Sequence, residues 1–376
     1  MRNQPALWPT PRWHLEKYQP DEPVLYFCPD VLQATAQRFL DGFDGTVTYA
    51  VKANDQMAVL ENLIGAGIEA FDVASPLEMQ HVRDVNPQAI LHYHNPVRSI
   101  AEVAGALKYG VKSWSVDCLR ELEKLADLPR NGTEIAVRFR LPVAGAAYDF
   151  GDKFGADPDT AVRLLKHACE MGFRPSLTFH PGTQCADPGA WATYVTEAAN
   201  VARIAGVELY RLNVGGGFAA HRCGAKPDLE AIFARISKET LRAFGVSAPE
   251  LVCEPGRAMV AEAFTLAVRV KTVRNGAVYL NDGVYGALTE LRDIGVPERV
   301  EVFRGDGSTV LGRAIPYVVF GPTCDSLDCL PEKMPLPEDL REGDYVLIRA
   351  MGAYSASIST GFNGYGRQVV INVSEL

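Results

Sequence analysis

The chain is 376 residues long, 47% apolar and 22% charged, proportions of a globular protein and not of a disordered one. That length predicts two domains, one of them as large as a barrel. The formal charge is −9 and no long Lys/Arg run is present, which excludes the electrostatic footprint of a nucleic-acid binder.

Met1 to Tyr18 mixes Pro, Trp and charge without the apolar centre of a signal peptide, and no later stretch is long and apolar enough to span a bilayer. Eight cysteines are scattered without CxxC pairs or metal-ligand spacing, which fits a reducing compartment better than a disulfide framework. The expectation is a cytoplasmic protein with no membrane contact and no metal.

From Thr46 on, short β-branched or apolar runs alternate with helix-length amphipathic stretches, the pattern of βα units around parallel strands. In chain order, strands are predicted at 46–51, 68–74, 89–94, 111–116, 134–140, 174–180, 207–214 and 250–254. Helices are predicted between them at 57–65, 77–85, 119–125, 159–171, 190–205 and 229–244. Eight repeats favour a closed (β/α)8 TIM-like barrel over an open doubly wound sheet. Residues 141–155, rich in Ala and Gly and without a strong period, read as an exposed loop able to act as a lid. After Glu262, strand-like runs at 264–272, 277–280, 317–320, 345–348 and 368–373 predict a C-terminal β-barrel or sandwich domain. The expected division is a barrel over 27–263 and a β domain over 264–376, joined by residues 1–26.

Catalytic side chains of such barrels sit where strands end and βα loops begin. Here those ends carry Lys52, Asp72, His94, Asp117, Arg138, His180 with Thr183, Asn213 with Gly215, Gly216 and Gly217, and Glu254 with Gly256 and Arg257. Lys52 closes an apolar strand, where barrel walls would half desolvate it, lower its pKa and make its amine able to form an imine. Three glycines between a strand and a helix offer bare backbone amides to a phosphate. Glu254 can keep a pyridine nitrogen protonated, Arg257 can bind phosphate, and His180 can stack on an aromatic ring. Each has a plainer alternative when taken alone: a solvated lysine, a tight turn, a structural Arg–Glu pair, a satisfied core histidine. In the β domain, Cys324 beside Asp325 and Asp328 offers a proton donor and an acid for a substrate ammonium. One Cys and two Asp with no nearby His fit zinc poorly. Tyr354 offers a phenol that can reach a phosphate or simply stay exposed.

Eight segments occur in order: Tyr-Ala-Val-Lys-Ala-Asn, Phe-Asp-Val-Ala-Ser, Phe-His-Pro-Gly-Thr-Gln, Val-Gly-Gly-Gly-Phe, Glu-Pro-Gly-Arg, Asn-Asp-Gly-Val-Tyr-Gly, Gly-Pro-Thr-Cys-Asp-Ser-Leu-Asp and Met-Gly-Ala-Tyr. Together they resemble the ornithine decarboxylase branch of the fold-type III pyridoxal-phosphate decarboxylases, from about Tyr26 to Gly366. The resemblance implies pyridoxal 5′-phosphate bound through Lys52, its ring nitrogen paired with Glu254 and its face stacked by His180. It assigns the phosphate to Thr183, Gly215, Gly216, Gly217, Gly256, Arg257 and Tyr354, and matches Asp72, Glu78 and Arg138 to further polar positions around the cofactor. It also implies a head-to-tail homodimer in which the partner subunit's Cys324 and Asp325 enter the barrel, with Lys153 and Asp328 paired across the interface.

The implied reaction is decarboxylation of a basic amino acid, first L-ornithine to putrescine and carbon dioxide. Lysine, alone or with ornithine, competes as substrate; diaminopimelate and carboxynorspermidine follow, since the former's enzymes usually carry Glu after the Cys. A non-catalytic regulatory relative and a racemase are the readings from other classes. Cys324 would return a proton to Cα, and Asp325 would hold the distal ammonium, with Tyr285 and Asp293 also at the substrate. The chain departs from the family at Pro181 and Thr183, where many relatives have Val and Ser, but Thr keeps the hydroxyl. After Tyr285 the register of Asp293 against the family's substrate-binding acid is loose, which leaves chain-length selectivity open.

Overall fold

The computed structural model describes residues 7–142 and 153–376. They form two compact units: Thr35–Ala219 with Pro227–Ala258, and the chain up to Ala34 with Ala220–Lys226 and Met259–Leu376. The expected division at 27 differs from these units because β1 (Val24–Phe27) pairs with a strand of the second unit, opposite Phe264–Ala267, and carries the chain through Ala34 with it.

The first unit is the barrel. Its strands are β2 (Thr46–Ala50), β3 (Ala70–Asp72), β4 (Ile90–Tyr93), β5 (Ser113–Val116), β6 (Glu134–Arg138), β7 (Arg174–Thr178), β8 (Arg211–Asn213) and β9 (Glu250–Cys253). They pair in chain order, and β9 returns to β2 in parallel, which closes the barrel. All eight lie inside the predicted runs and are shorter. The run at 207–214 shows why: Val207 N donates back to Ala202 O of the preceding helix at 3.1 Å, so only Arg211–Asn213 is free to pair with both neighbours.

The outer helices carry their start signals in the sequence. Ser99 and Glu102 form a reciprocal capping box at Ile100–Lys108, and Asp157 and Asp187 cap helices that open on Pro158 and Pro188. Gly206, at φ 64°, ends Pro188–Ala205 in the left-handed conformation that a side chain resists. Trp191 of that helix stacks on Phe218 at 5.0 Å, while Phe39 and Phe233 meet Phe218 edge-on. Truncating so buried a tryptophan would cost about 3–5 kcal/mol.

The second unit is a mixed eight-stranded sheet. Its further strands are β10 (Phe264–Arg274), β11 (Ala277–Leu280), β12 (Val300–Phe303), β13 (Ala314–Phe320), β14 (Met334–Pro337), β15 (Tyr345–Arg349) and β16 (Val369–Asn372). The order is β12-β15-β10-β11-β13-β14, with β1 on β10 and β16 on β1. Asn275 and Gly276, at φ 51° and 73°, make the tight turn between β10 and β11 that an Asn-Gly pair encodes. Tyr26, Ala267, Tyr345 and Leu347 share one core with Leu15 of the N-terminal helix Pro11–Tyr18.

Of the loop read as a lid, residues 143–152 lie outside the described residues. Among the described residues, no helix is long and apolar enough to cross a membrane.

Candidate active site

The C-terminal ends of β2 to β9 bring the polar residues of the barrel to one rim. After β8 the chain makes the Gly215–Gly217 turn, with φ 71° at Gly215 and 86° at Gly217. A Cβ on Gly215 would stand 2.1 Å from Phe179 O, and one on Gly217 2.2 Å from Gly182 O. The turn therefore lies backbone to backbone on its neighbours, and only glycine permits it. Cys185 N donates to Gly217 O at 2.8 Å, and Glu254 N to Gly215 O at 2.9 Å, so the loop after β7 and the end of β9 both hold it.

Asn213, the last residue of β8, ties this turn to Glu254. Its Oδ1 accepts from Gly215 N at 2.9 Å, and its Nδ2 donates to Glu254 Oε1 at 2.5 Å. His94, just beyond β4, brings Nδ1 to the same Oε1 at 2.5 Å and Nε2 to Ser113 Oγ at 2.9 Å. Burial pushes the Glu254 carboxyl up, but His94, Asn213 and the Lys52 ammonium outweigh it and hold the carboxyl down to about 2. Two donors thus occupy Oε1, while Oε2 has no hydrogen bond to a described residue. Asp72, at the end of β3, is buried with Oδ1 unpartnered; burial, and after it the Glu254 charge, push its carboxyl up to about 7.

Asp72, His94 and Glu254 put three donor atoms within 4.8 Å of one another, the spacing of a cation site. Two atoms bound to one tetrahedral zinc would lie about 3.4 Å apart. The 2.5 Å between His94 Nδ1 and Glu254 Oε1 is a hydrogen bond instead.

His180 follows β7. Gly182 N donates to its Nδ1 at 3.1 Å, and a Cβ on Gly216 or Gly217 would stand 3.3 Å from its Nε2 or Cε1, so the ring lies against the glycine turn. Burial, then the charges of Arg138 and Lys52, push this imidazole down to about 3, and it is neutral. Thr183 is buried two residues after Pro181. Arg257 is buried at the start of the helix Arg257–Val260, and Gly256 makes room for Ala50 and Ala53, whose Cβ atoms would be 3.2 and 3.1 Å from its own. Arg138 ends β6 with its guanidinium 5.2 Å from the Phe154 ring centre.

One expectation for the barrel is corrected. Lys52 is exposed, not half desolvated, because β2 ends at Ala50 and Lys52 lies on the short turn Val51–Ala53 beyond the barrel wall. Its ammonium also bears on its neighbours, lowering Asp72, Glu78 and Glu254. Glu78 has a second duty, since its Oε2 accepts from Ala74 N at 2.7 Å at the start of the helix Pro76–Val85.

In the β unit, Tyr285 Oη donates to Asp325 Oδ2 at 2.6 Å, and Leu327 N to Asp325 Oδ1 at 3.0 Å. The Cys324 thiol donates to Asn363 Oδ1 at 3.4 Å. Cys324 and Asp325 line a cavity of about 530 Å³ with Lys271, Tyr279 and Phe320. Asp328 does not offer its carboxylate for pairing with Lys153. It is 1% exposed, and its carboxylate accepts from Val284 N, Thr323 N and Thr323 Oγ1, which makes it a hub for two loops. Asp293 pairs with its neighbour Arg292 at 2.9 Å on the exposed side of the helix Thr289–Ile294. Tyr354 is half-buried with φ 62°.

Sequence reasoning placed His94 and Asn213 at strand ends but gave them no role. The available signal was Asn two residues before the first turn glycine, the spacing at which an Asx side chain caps a backbone N–H.

The group these barrel residues fit is pyridoxal phosphate: a side-chain-free turn for an anion, a flat neutral imidazole, and a carboxylate oxygen left over for a ring nitrogen. The sequence profile of the pyridoxal-dependent decarboxylases, pyridoxal binding domain, matches residues 30–261. The ornithine decarboxylase of Rattus norvegicus is 32% identical over 347 residues, 86% of this chain and 74% of that protein. Antizyme inhibitor 2 of Xenopus laevis is 32% identical over 348 residues, again 86% and 74%. The lysine/ornithine decarboxylase of Vibrio vulnificus, solved with cadaverine, superposes with a TM-score of 0.81 at 29% identity, over 95% of this chain and 96% of that one. The chain belongs to the pyridoxal-dependent decarboxylases. It is a carboxy-lyase that uses pyridoxal phosphate.

Proposed function

We propose that the chain decarboxylates L-ornithine to putrescine, with L-lysine as the competing substrate. The coarser statement, a basic amino acid, is supported by the relatives named above. The observation that carries the catalytic reading is the state of Glu254: an anion whose Oε1 is held twice and whose Oε2 is left over, beside a glycine turn shaped for phosphate.

Lys52 would hold the cofactor's aldehyde carbon, Glu254 its ring nitrogen, His180 its face, and Thr183, the Gly215–Gly217 turn and Arg257 its phosphate. When bound, the cofactor supplies an electron sink for the pair left behind as carbon dioxide departs. Glu254 Oε2 would keep a proton on the ring nitrogen, which would deepen that sink. In a homodimer, the partner subunit's Cys324 gives its Sγ proton to Cα, and the partner subunit's Asp325 holds the substrate's distal ammonium. The contact of Cys324 Sγ with Asn363 Oδ1 supports the first role, since it gives the thiol a fixed partner and direction. The Tyr285 phenol on Asp325 supports the second, since it keeps the acid ionised.

The test is a substrate panel with pyridoxal phosphate added. Ornithine should release carbon dioxide fastest, lysine next, and diaminopimelate and carboxynorspermidine slowly or not at all. Lys52→Ala should abolish turnover and the borohydride-sensitive absorbance. Full turnover in that variant, or no release from any substrate, overturns the reading. Retention of Lys52, Glu254, Arg257 and Cys324 disfavours a purely regulatory role of the kind that the name antizyme inhibitor denotes.

A further inference from the structure

His94 has no part in the scheme above, yet with Asn213 it lies 2.5 Å from the carboxylate on which that scheme depends. It stands beyond β4, Glu254 beyond β9 and Asn213 at the end of β8, and the three meet because the barrel closes. Gly215 N–H fixes the Asn213 amide with its NH2 toward Glu254 Oε1. Asn213 therefore cannot accept from His94, and the proton on His94 Nδ1 is directed to the carboxylate. On the far side, Ser113 Oγ at 2.9 Å from Nε2 can donate or accept. The imidazole is thus satisfied both neutral and cationic, with no heavy atom moved.

We propose that His94 is a positioning residue for the decarboxylation: it fixes the rotamer of Glu254 and sets how much of that carboxylate's charge is left for the cofactor's ring nitrogen. The inference rests on the reading of Glu254 as the partner of that nitrogen.

The charged groups around His94 agree with a site that titrates. Burial opposes the cation, while Glu254, Asp72 from β3 and Glu134 from β6 favour it and prevail, so the imidazole lies above its ordinary range. The His92 ring stacked on it at 5.3 Å is neutral, held down to about 3 by burial and by His94 and Arg211. Lys52 bears on the cluster from the rim, where it lowers both acids. A cationic His94 neutralises part of Glu254 and weakens its hold on a protonated ring nitrogen. A neutral His94 leaves that charge whole, so turnover rises as pH rises through the His94 ionisation.

The experiment compares His94→Ala and His94→Asn with the wild-type holoenzyme formed with pyridoxal phosphate. An Asn amide can stand where Nδ1 stands, donating to Glu254 without titrating. The readouts are the pH titration of the bound cofactor's visible absorption, and kcat and KM taken separately. His94→Ala should lower kcat about ten- to hundredfold, as losing a residue that orients a ligand of the reacting centre does, with KM changed less than about threefold. His94→Asn should recover most of kcat and lose the His94 ionisation from both the absorption and the kcat profile. The proposal is overturned if His94→Ala keeps the wild-type kcat and absorption titration. It is equally overturned if His94→Asn, which still donates to Glu254 where the Ala variant fails to fold, retains that ionisation. Glu254→Gln separates the two readings: an unchanged absorption and kcat there refutes Glu254 as the nitrogen's partner, whereas impairment there beside wild-type behaviour in both His94 variants refutes His94 alone.

Discussion

Tyr285 and Asp325 share a 2.6 Å hydrogen bond, with the phenol on Oδ2 and Leu327 N on Oδ1. Each carboxylate oxygen is held, so the plane of the acid is fixed, and the two donors keep it below the usual carboxylate range. An anion set in this way selects a cation by position as well as by charge. Replacing Tyr285 with Phe should raise KM for the basic amino acid about three- to tenfold, the weight of one ordinary hydrogen bond of about 1 kcal/mol, and move kcat less. Initial rates across substrate concentration measure the split; an unchanged KM would remove Tyr285 from substrate binding.

Gly217→Ala puts a methyl 2.2 Å from Gly182 O at a φ of 86°, where the backbone cannot yield without moving the turn. Strain of this kind costs about 1–3 kcal/mol. The variant should bind pyridoxal phosphate roughly 5- to 150-fold more weakly. Equilibrium dialysis gives the Kd directly. Wild-type affinity would show that the turn does not hold the phosphate.

Asp282 is fully buried at the start of the segment that presents Tyr285. Its Oδ1 accepts from Gly283 N at 2.9 Å and its Oδ2 from Ala287 N at 3.1 Å. Burial raises this carboxyl to about 6 despite those donors. The folded chain therefore takes up a proton near pH 6 that the unfolded chain takes up only near pH 4. The contribution is complete below about pH 4 and is lost as pH rises through 6. Asp282→Asn keeps one acceptor, turns an NH2 toward a backbone N–H, and should cost about 1–3 kcal/mol. Urea midpoints should show a larger gap between wild type and variant at pH 5 than at pH 7. A constant gap would mean that Asp282 stays ionised in the folded chain.

The barrel was legible because each strand is a short apolar run that signals itself locally, and because caps such as Ser99 and Asp157 stand within three residues of the N–H they satisfy. Lys52, Glu254, His180 and the three glycines were legible as strand-end residues. What the sequence hides are relations between strands. His94, Asn213 and Glu254 are separated by 119 and 41 residues, and only closure of β9 on β2 brings them to one oxygen. Asp328 was misread for the same reason, since its partner Val284 N lies 44 residues back. The exposure of Lys52 turned on where β2 stops, a boundary that propensity places only to within a few residues.

The shared-site reading of Cys324 is tested by mixing. Lys52→Ala and Cys324→Ala chains should each be inactive alone. After unfolding and refolding together, random pairing leaves one intact site in half of the dimers, so activity should return to about a quarter of wild type. A mixture no more active than its components would place Cys324 in the site of its own chain, or in none.

Asn213 reaches the glycine turn with one end of its amide and Glu254 with the other. That makes it a strut of fixed length between the glycine turn and the Glu254 carboxylate, the two places proposed above to hold a phosphate and a ring nitrogen. An aspartate there would still accept from Gly215 but would set a second anion against Glu254; a leucine would release both ends. Either change would thus disturb Glu254 and the turn together, at a position that need never touch the ligand.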